Sequence, residues 1–382
     1  MRGSVFHALN RFGERSETFI ADAITDLDAL GWKAWVASAH PPVNRDEFPF
    51  PPEERFLAPC RPPAIRRAAA RLKTREARLR WAEWWRPVME ALEPDVIQLH
   101  FGWTAAAFAL ERFGIPIVVS FHGSDVRSWP HEEVANQRVY EELFGYLRYA
   151  TASSQSLAQD IRELGFRGRL EVIPPGVHLD SFRFRPPRET VDITNLLFVG
   201  RQVSCKGLDV LLTALRDVVQ QRLEVRLVVI GDGPDATRNS ALSTSLGLDS
   251  FVEFRGSQAH DEVLRALQQA DILIVPSRTS AAGEAEGSGL APKEAFAVGV
   301  PVIATDCGGL PETMPPSQRG ELVPEGDPAA LARGILELLA RPERWRQKAV
   351  TAREWVEVES DASKLTERTA RLYEDMRDER ER

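Results

Sequence analysis

The apolar positions fall into two series of short runs, each closed by glycine or a polar residue and followed by a stretch with helical spacing. In the first series "VIQLH" (96–100), "IPIVVSFHG" (115–123) and "RYATASS" (148–154) read as buried parallel strands. "WTAAAFALERF" (103–113) and "SLAQDIREL" (156–164) read as their crossover helices, the second stopped by Gly165. The second series supplies strands at "NLLFVG" (195–200), "RLVVIGDG" (226–233), "FVEFRG" (251–256), "ILIVPS" (272–277) and "PVIATD" (301–306). Helical stretches "GLDVLLTALRDVVQ", "DEVLRALQQA" and "LAPKEAFAVG" alternate with them.

Between the two series Pro174, Pro175, Pro186 and Pro187 bracket a stretch too rigid for helix and too poor in donors for a central strand. The pattern therefore predicts two doubly wound, Rossmann-like α/β domains, over 1–185 and 186–355. A charged helical tail over 356–382 is expected to cross back onto the first. In such sheets ligands bind at the carboxyl ends of the strands, so a small ligand in a cleft faced by both domains is the natural expectation.

Composition narrows the class. A chain of 382 residues, 43% hydrophobic and 27% charged, exceeds one core and is neither disordered nor fibrous. No run approaches the ~18 apolar residues of a spanning helix, and the first residues lack a signal-peptide core, so the expected location is cytoplasmic. Cys60, Cys205 and Cys307 lack metal-type spacing and read as reduced thiols. The net charge of −8 argues against nucleic acid as a partner. Residues 61–86 run against it, with nine Arg and Lys beside Trp81, Trp84 and Trp85. This segment reads either as a dock on an anionic membrane, peripheral on its inner face, or as a solvated helix whose tryptophans enter the core.

Candidate chemistry sits at the predicted strand ends. Arg201 follows one strand and Lys206 precedes the next helix, a placement that suits a diphosphate and equally a pair of surface cations. Gly231 and Gly233 would let a base or a phosphate approach the backbone, but their spacing is not the GxGxxG fingerprint, nor is "GRQVSCKG" a P-loop. His122 ends a strand beside Gly123 and near Asp125, with His100 as a packing neighbour; Ser16 reads as a helix cap, and Gly13 as the loop glycine before it. Glu286 and Glu294 lie on one segment, "GEAEGSGLAPKEAFAVGVPV" (283–302). A glycosidase places its two carboxylates on opposite sides of a bond, about 5–9.5 Å apart. A loop-and-helix pair more naturally lines one wall of a pocket, where carboxylates accept hydrogen bonds from sugar diols.

These strings, in this order, resemble the retaining family-4 glycosyltransferases of the GT-B fold. "FGERSETFI", "LHFG", "FHGSD" and the insert "RTSAAGEAEG" are similar to the exopolysaccharide, colanic-acid-type branch. Glu286 and Glu294 match the Glu-x7-Glu signature, which implies that Glu286 contacts donor-sugar hydroxyls and Glu294 the ribose. Arg201 and Lys206 match the diphosphate-binding cations, and His122 the first-domain histidine near the donor sugar. Gly287, Ser288, Gly289 and Leu290 would add sugar and phosphate contacts, and Arg255 and Gly256 would border the base. The twin-glycine loop usual near the N-terminus is replaced by "RFGERSE"; Ser288 stands where a large apolar residue is frequent, and Glu284 is an additional carboxylate.

The resemblance implies a nucleoside diphosphate sugar donor, with UDP or GDP the expected nucleotide, and a saccharide or lipid-linked saccharide acceptor in polysaccharide biosynthesis. No metal and no cofactor are expected. A noncatalytic sugar-nucleotide-binding protein, or an epimerase or phosphorylase on the same fold, are the alternatives.

Overall fold

The computed structural model describes residues 1–48, 50–57, 85–108, 113–186, 194–222 and 224–381. The chain divides into two compact units, Met1–Pro175 with Ser363–Arg382, and Gly176–Ala362.

In the first unit the described strands form a parallel sheet of seven in the order β3-β2-β1-β4-β5-β6-β7. These are β1 (Gly3–Leu9), β2 (Trp32–Ser38), β3 (Phe56–Leu57), β4 (Val96–His100), β5 (Ile117–Phe121), β6 (Tyr149–Ala152) and β7 (Arg169–Val172). Every residue of β4 and β5 is buried, which is why they read as unbroken apolar runs. Strands β1 and β2 escape that pattern because a histidine, two serines, a lysine and two tryptophans interrupt the aliphatic residues.

In the second unit the sheet has the order β10-β9-β8-β11-β12. Its strands are β8 (Thr194–Val199), β9 (Val225–Ile230), β10 (Val252–Gly256), β11 (Ile272–Val275) and β12 (Val302–Ala304), each within a predicted run or one residue of it. Helices cover the sheet: Leu208–Val219 and Pro328–Leu339 bury Leu211, Leu215, Leu331 and Ile335, while Leu290–Val298 buries Phe296 and Val298 with the rest of its inner face.

The break between the units falls after Pro175, ahead of the position near 185 that the prolines marked. Residues 176–185 are held by the second unit: Val177 and Ala362 exchange backbone bonds with Ser360 and Val177, Arg185 N–H donates to the Val298 carbonyl at 2.7 Å, and Phe182 is buried. The return likewise lies at 362/363 and not at 356, since Ala352 and Val356 belong to the core of the second unit.

Helix Ala362–Glu381 completes the first unit. Its Ala370, Leu372, Tyr373 and Met376 enter the core beside Val5, Ile24 and Trp32. The Tyr373 hydroxyl donates to Gln98 of β4, whose amide donates to Ser120 of β5 at 2.7 Å; Thr151 of β6 donates to the same hydroxyl at 2.9 Å. Tyr373, Gln98, Ser120 and Thr151 all have partners in one another, so the helix is keyed to the sheet by direction as well as by apolar area. Replacing Tyr373 with Ala removes the Trp32 edge contact and leaves Gln98 short of a donor, and is expected to destabilise the first unit by about 3–5 kcal/mol in denaturant unfolding.

Candidate functional site

The loop after β8 carries Arg201, which is exposed, and then a 3-10 turn, Ser204–Lys206. Gly207 ends the turn at φ +66°, where a Cβ would stand 1.9 Å from the Pro276 carbonyl oxygen; only glycine fits. It is also the N-cap of helix Leu208–Val219, with no side-chain cap bond. The loop after β11 clamps this turn. Arg278 donates from Nε to the Ser204 carbonyl at 3.1 Å and from Nη2 to Asp209 at 2.9 Å, and its backbone N–H donates to the Cys205 carbonyl at 2.8 Å. The Lys206 backbone is thereby fixed from both sides.

Lys206 Nζ donates to Glu286 Oε2 at 2.6 Å, and the Ser277 hydroxyl donates to the same oxygen at 3.2 Å. Burial disfavours the ammonium, but the attraction and hydrogen bond of Glu286 outweigh it, and the Lys206 pKa lies above the ordinary lysine value. These groups line a cavity of ≈ 40 Å³ together with Gly289, Leu290 and Ala291, the first turn of helix Leu290–Val298. That helix begins at Gly289 without a side-chain cap, so its leading N–H groups add a favourable field for an anion. Gly287 is buried and Ser288 half-buried in the loop between. Glu286 is anchored at its carbonyl, which accepts from Gly309 N–H at 2.8 Å. Glu284 is half-buried, and its backbone closes a small turn with Ser280.

Glu294 is 7% exposed on the inner face of the same helix. Beside it lies Lys293, a residue the sequence reasoning passed over, only 2% exposed and donating to Ser288 Oγ at 3.4 Å. Burial pulls the Lys293 pKa down to about 7, with Glu312 acting in the opposite sense. The available signal was a lysine on an otherwise apolar helix next to a motif glutamate. Ser277 and Arg278 were also missed, because nothing in their spacing announces that they meet the 204–206 turn.

Strand β9 ends at Gly231 with φ +132°, where a Cβ would lie 1.9 Å from the Gly200 carbonyl oxygen. Gly231 therefore exists for the close approach of the loops after β8 and β9. Gln202, buried between them, donates to the Gly231 carbonyl at 2.9 Å and accepts from Asn239 at 3.0 Å. Gly231 N–H donates to the Gly256 carbonyl at 2.8 Å, which brings the end of β10 alongside, while Gly233 passes close to the Gln202 backbone. Arg255 is paired with Glu253 at 2.9 Å on the same strand.

In the first unit His122 follows β5 and lies against Phe101 and Phe19, at ring-centroid distances of 4.6 and 5.1 Å. Asp125 is fully buried and accepts backbone N–H bonds from Gly102, His122 and Gly123 at 2.8–3.0 Å, tying together the loops after β4 and β5. Burial nonetheless raises its pKa to about 6 against those donors. His100 stacks on His122 and shares a 3.2 Å hydrogen bond with His7, the third member of the column and another residue missed from sequence. Gly13 lies in the turn after β1, its carbonyl accepting from Asn44 at 2.8 Å. The helix after it starts at Thr18 with Glu17 at the N-cap, and not at Ser16, because Arg15–Glu17 forms a 3-10 turn first.

The membrane reading of 61–86 falls largely outside the described residues, including Trp81 and Trp84, as does Cys60. Trp85 is described and follows the second of the two readings: it is 2% exposed and packs edge-on against Phe6 in the core, so it does not serve a headgroup boundary. Cys205 and Cys307 are free thiols. Among the described residues no helix is long and apolar enough to cross a membrane, and no group of three or more His, Cys, Asp or Glu could hold a metal ion.

Two parallel α/β units with charged loops at the strand ends define a class, and solved structures share it. HepE of Anabaena, in complex with UDP and glucose, superposes with a TM-score of 0.76 at 18% identity over 98% of this chain and 100% of that one. Sucrose-phosphate synthase of Thermosynechococcus elongatus gives 0.77 at 20% identity over 98% and 99%. Both are similar in fold, the GT-B class of glycosyltransferases. Residues 16–181 match the model of Glycosyltransferase Family 4, and residues 184–355 that of Glycosyl transferases group 1. A putative colanic acid biosynthesis glycosyltransferase, WcaL of Escherichia coli K12, is 33% identical over 63% of this chain and 60% of its own. A GDP-mannose-dependent alpha-(1-6)-phosphatidylinositol monomannoside mannosyltransferase of Mycolicibacterium smegmatis is 30% identical over 69% of this chain and 72% of its own. The chain belongs to glycosyltransferase family 4. It spans less than two thirds of the length of the curated relatives it matches first.

The histidine column has a consequence for stability. Burial holds the His7 and His122 pKa values down at about 3 and that of His100 well below 6.5, with the two neighbours adding to the last. The unfolded chain therefore binds more protons as pH falls through about 6.5, and stability present above that value is lost toward pH 3. Asp125, raised to about 6, acts in the opposite sense between its unfolded value of about 3.9 and 6, but it is one group against three. Denaturant unfolding of the first unit is expected to weaken steadily from pH 6.5 to 5, at up to ~1.4 kcal/mol per pH unit per imidazole, and His7→Asn is expected to flatten that slope.

Proposed function

We propose that this chain transfers a sugar from a nucleoside diphosphate sugar to a hydroxyl of a saccharide or lipid-linked saccharide, with retention of anomeric configuration, in polysaccharide or glycoconjugate synthesis. The observation that carries the reading is Lys206 and Glu286 meeting between two loops beside helix N-termini that have no side-chain caps. A cation, leading helix N–H groups and a carboxylate in one place match a ligand that joins an anionic diphosphate to a polyhydroxylated ring.

In this reading Lys206, Arg201 and the helix N-termini stabilise charge on the departing diphosphate, the main contribution the protein makes to the barrier. The bond from the anomeric carbon to the phosphate oxygen breaks, a bond to the acceptor oxygen forms on the same face, and the acceptor proton passes to the leaving phosphate. Glu286 accepts from donor-sugar hydroxyls and Glu294 from the ribose, with Gly287, Ser288, Gly289 and Leu290 lining the sugar and Gly231, Gly233, Arg255 and Gly256 the base side. His122 is the contribution of the first unit, by resemblance to the family's histidine. The names of similar proteins support UDP or GDP as the nucleotide, since HepE is in complex with UDP and the mycobacterial relative is GDP-mannose-dependent. Attachment through 61–86 to an anionic membrane carrying the acceptor remains part of the proposal, without Trp85.

A thermal-shift screen of UDP-, GDP-, ADP- and dTDP-sugars is expected to give one nucleotide class that stabilises the protein by ~2.7 kcal/mol at a hundred times its Kd. With that donor, Lys206→Met is expected to lower kcat about 10²–10³-fold. Glu294→Gln is expected to raise donor KM about tenfold or more while changing kcat less. Full activity in Lys206→Met, or donor KM unaltered in Glu294→Gln, would remove the assigned roles, and inversion at the anomeric centre in the product would remove the retaining mechanism.

A further inference from the structure

The Lys206–Glu286 contact uses the same two groups that the donor reading assigns to the ligand. The Glu286 side chain is 10% exposed and that of Lys206 30%, and they line a cavity of ≈ 40 Å³. A ligand group that takes the Lys206 position now held by Glu286 Oε2 displaces the carboxylate. The lysine is poorly free to move away with a ligand, because Arg278 and the Gly207–Pro276 approach hold its turn.

Two ligands face this contact differently. A nucleotide sugar replaces both partners, giving phosphate oxygens to Lys206 and hydroxyl donors to Glu286. A nucleoside diphosphate without its sugar takes Lys206 and leaves Glu286 without its countercharge next to a multiply charged anion. Separating a largely buried ion pair and replacing only one side of it is costly. Resting on the donor-site reading above, we propose that the Lys206–Glu286 pair is a lock that discriminates the sugar-bearing donor from the spent nucleotide, and that its closure expels the nucleoside diphosphate after transfer. Glu286 then has two duties, to accept hydroxyls from the donor sugar and to compete with the product for Lys206.

The second duty predicts a sign that sugar binding alone does not. If Glu286 only accepts sugar hydroxyls, its neutralisation leaves binding of the sugarless nucleotide untouched. If it competes for Lys206, neutralisation strengthens that binding. Isothermal titration with UDP and GDP, and with UDP-glucose and GDP-mannose, on wild type, Glu286→Gln, Lys206→Met and the double variant reads this directly. The expected result is that the nucleoside diphosphate binds Glu286→Gln about tenfold more tightly than wild type, within the usual range of coupling between sites. Its nucleotide sugar should gain nothing or lose affinity, and the gain should vanish in the double variant with Lys206→Met. Glu286→Ser provides the same neutralisation if the glutamine variant does not fold. Unchanged or weaker diphosphate binding in a folded neutral variant overturns the lock and leaves the donor site standing. Absence of binding by every one of these nucleotides, and by the ADP- and dTDP-sugars of the screen above, overturns the donor-site reading itself.

Discussion

A parallel sheet covered on both faces penalises unpartnered polar groups within its strands, and that constraint organises both units. The strands β4, β5 and β11 are buried along their whole length, so neither charge nor loose hydroxyl can sit within them without a dedicated partner. Where polar groups do enter, as Gln98, Ser120 and Thr151, they are chained to one another and to Tyr373. Everything else with chemical capacity is displaced to the carboxyl ends, where Arg201, Lys206, Gly231, Ser277, Glu286 and His122 are found. The second unit holds a cation and a carboxylate in contact there, whereas the first keeps a column of histidines whose burial opposes their protonation.

The same constraint explains what could be read from sequence. Runs such as "ILIV" and "VIQLH" identify themselves because burial on both faces excludes polar residues, and the end of each run then locates a candidate site. Glu286 and Lys206 were legible on that ground as well as by resemblance. Strands β1 and β2 were not, because "GSVFHAL" and "WKAWVAS" mix aromatic, basic and hydroxyl residues that pack or bond in three dimensions without leaving an apolar run. His7 was lost with them. The prolines near 185 marked rigidity correctly in kind, yet the unit boundary lies after Pro175, since backbone bonds to Ser360 and Val298 fasten the intervening segment to the second unit.

Arg278 and His7, both missed from sequence, act through neighbours distant in sequence. Arg278 and Ser204 are 74 positions apart, and Lys206 and Glu286 are 80 apart. No periodicity carries such information. A helix start can be guessed from one cap residue, but the position of the Lys206 ammonium depends on a carbonyl oxygen at Pro276, a guanidinium at 278 and a carboxylate at 286 together. Family resemblance supplied Lys206 and Glu286 as separate ligands of a donor; their direct contact is a property of the fold.

Lys293 shows how far the strand-end rule extends. The helix that presents Glu294 must pack its inner face against β11 and β12, yet Lys293 occupies that face almost fully buried. Desolvation would be prohibitive for a fixed charge, and it is moderated here because burial brings the pKa to about 7, where the ammonium readily gives up its proton, and because the Ser288 hydroxyl can accept a bond from it. The side chain thus spans from the helix core to the loop whose other residues are Glu286 and Gly287. A leucine would fill similar volume at lower electrostatic cost, but it could not tether Ser288.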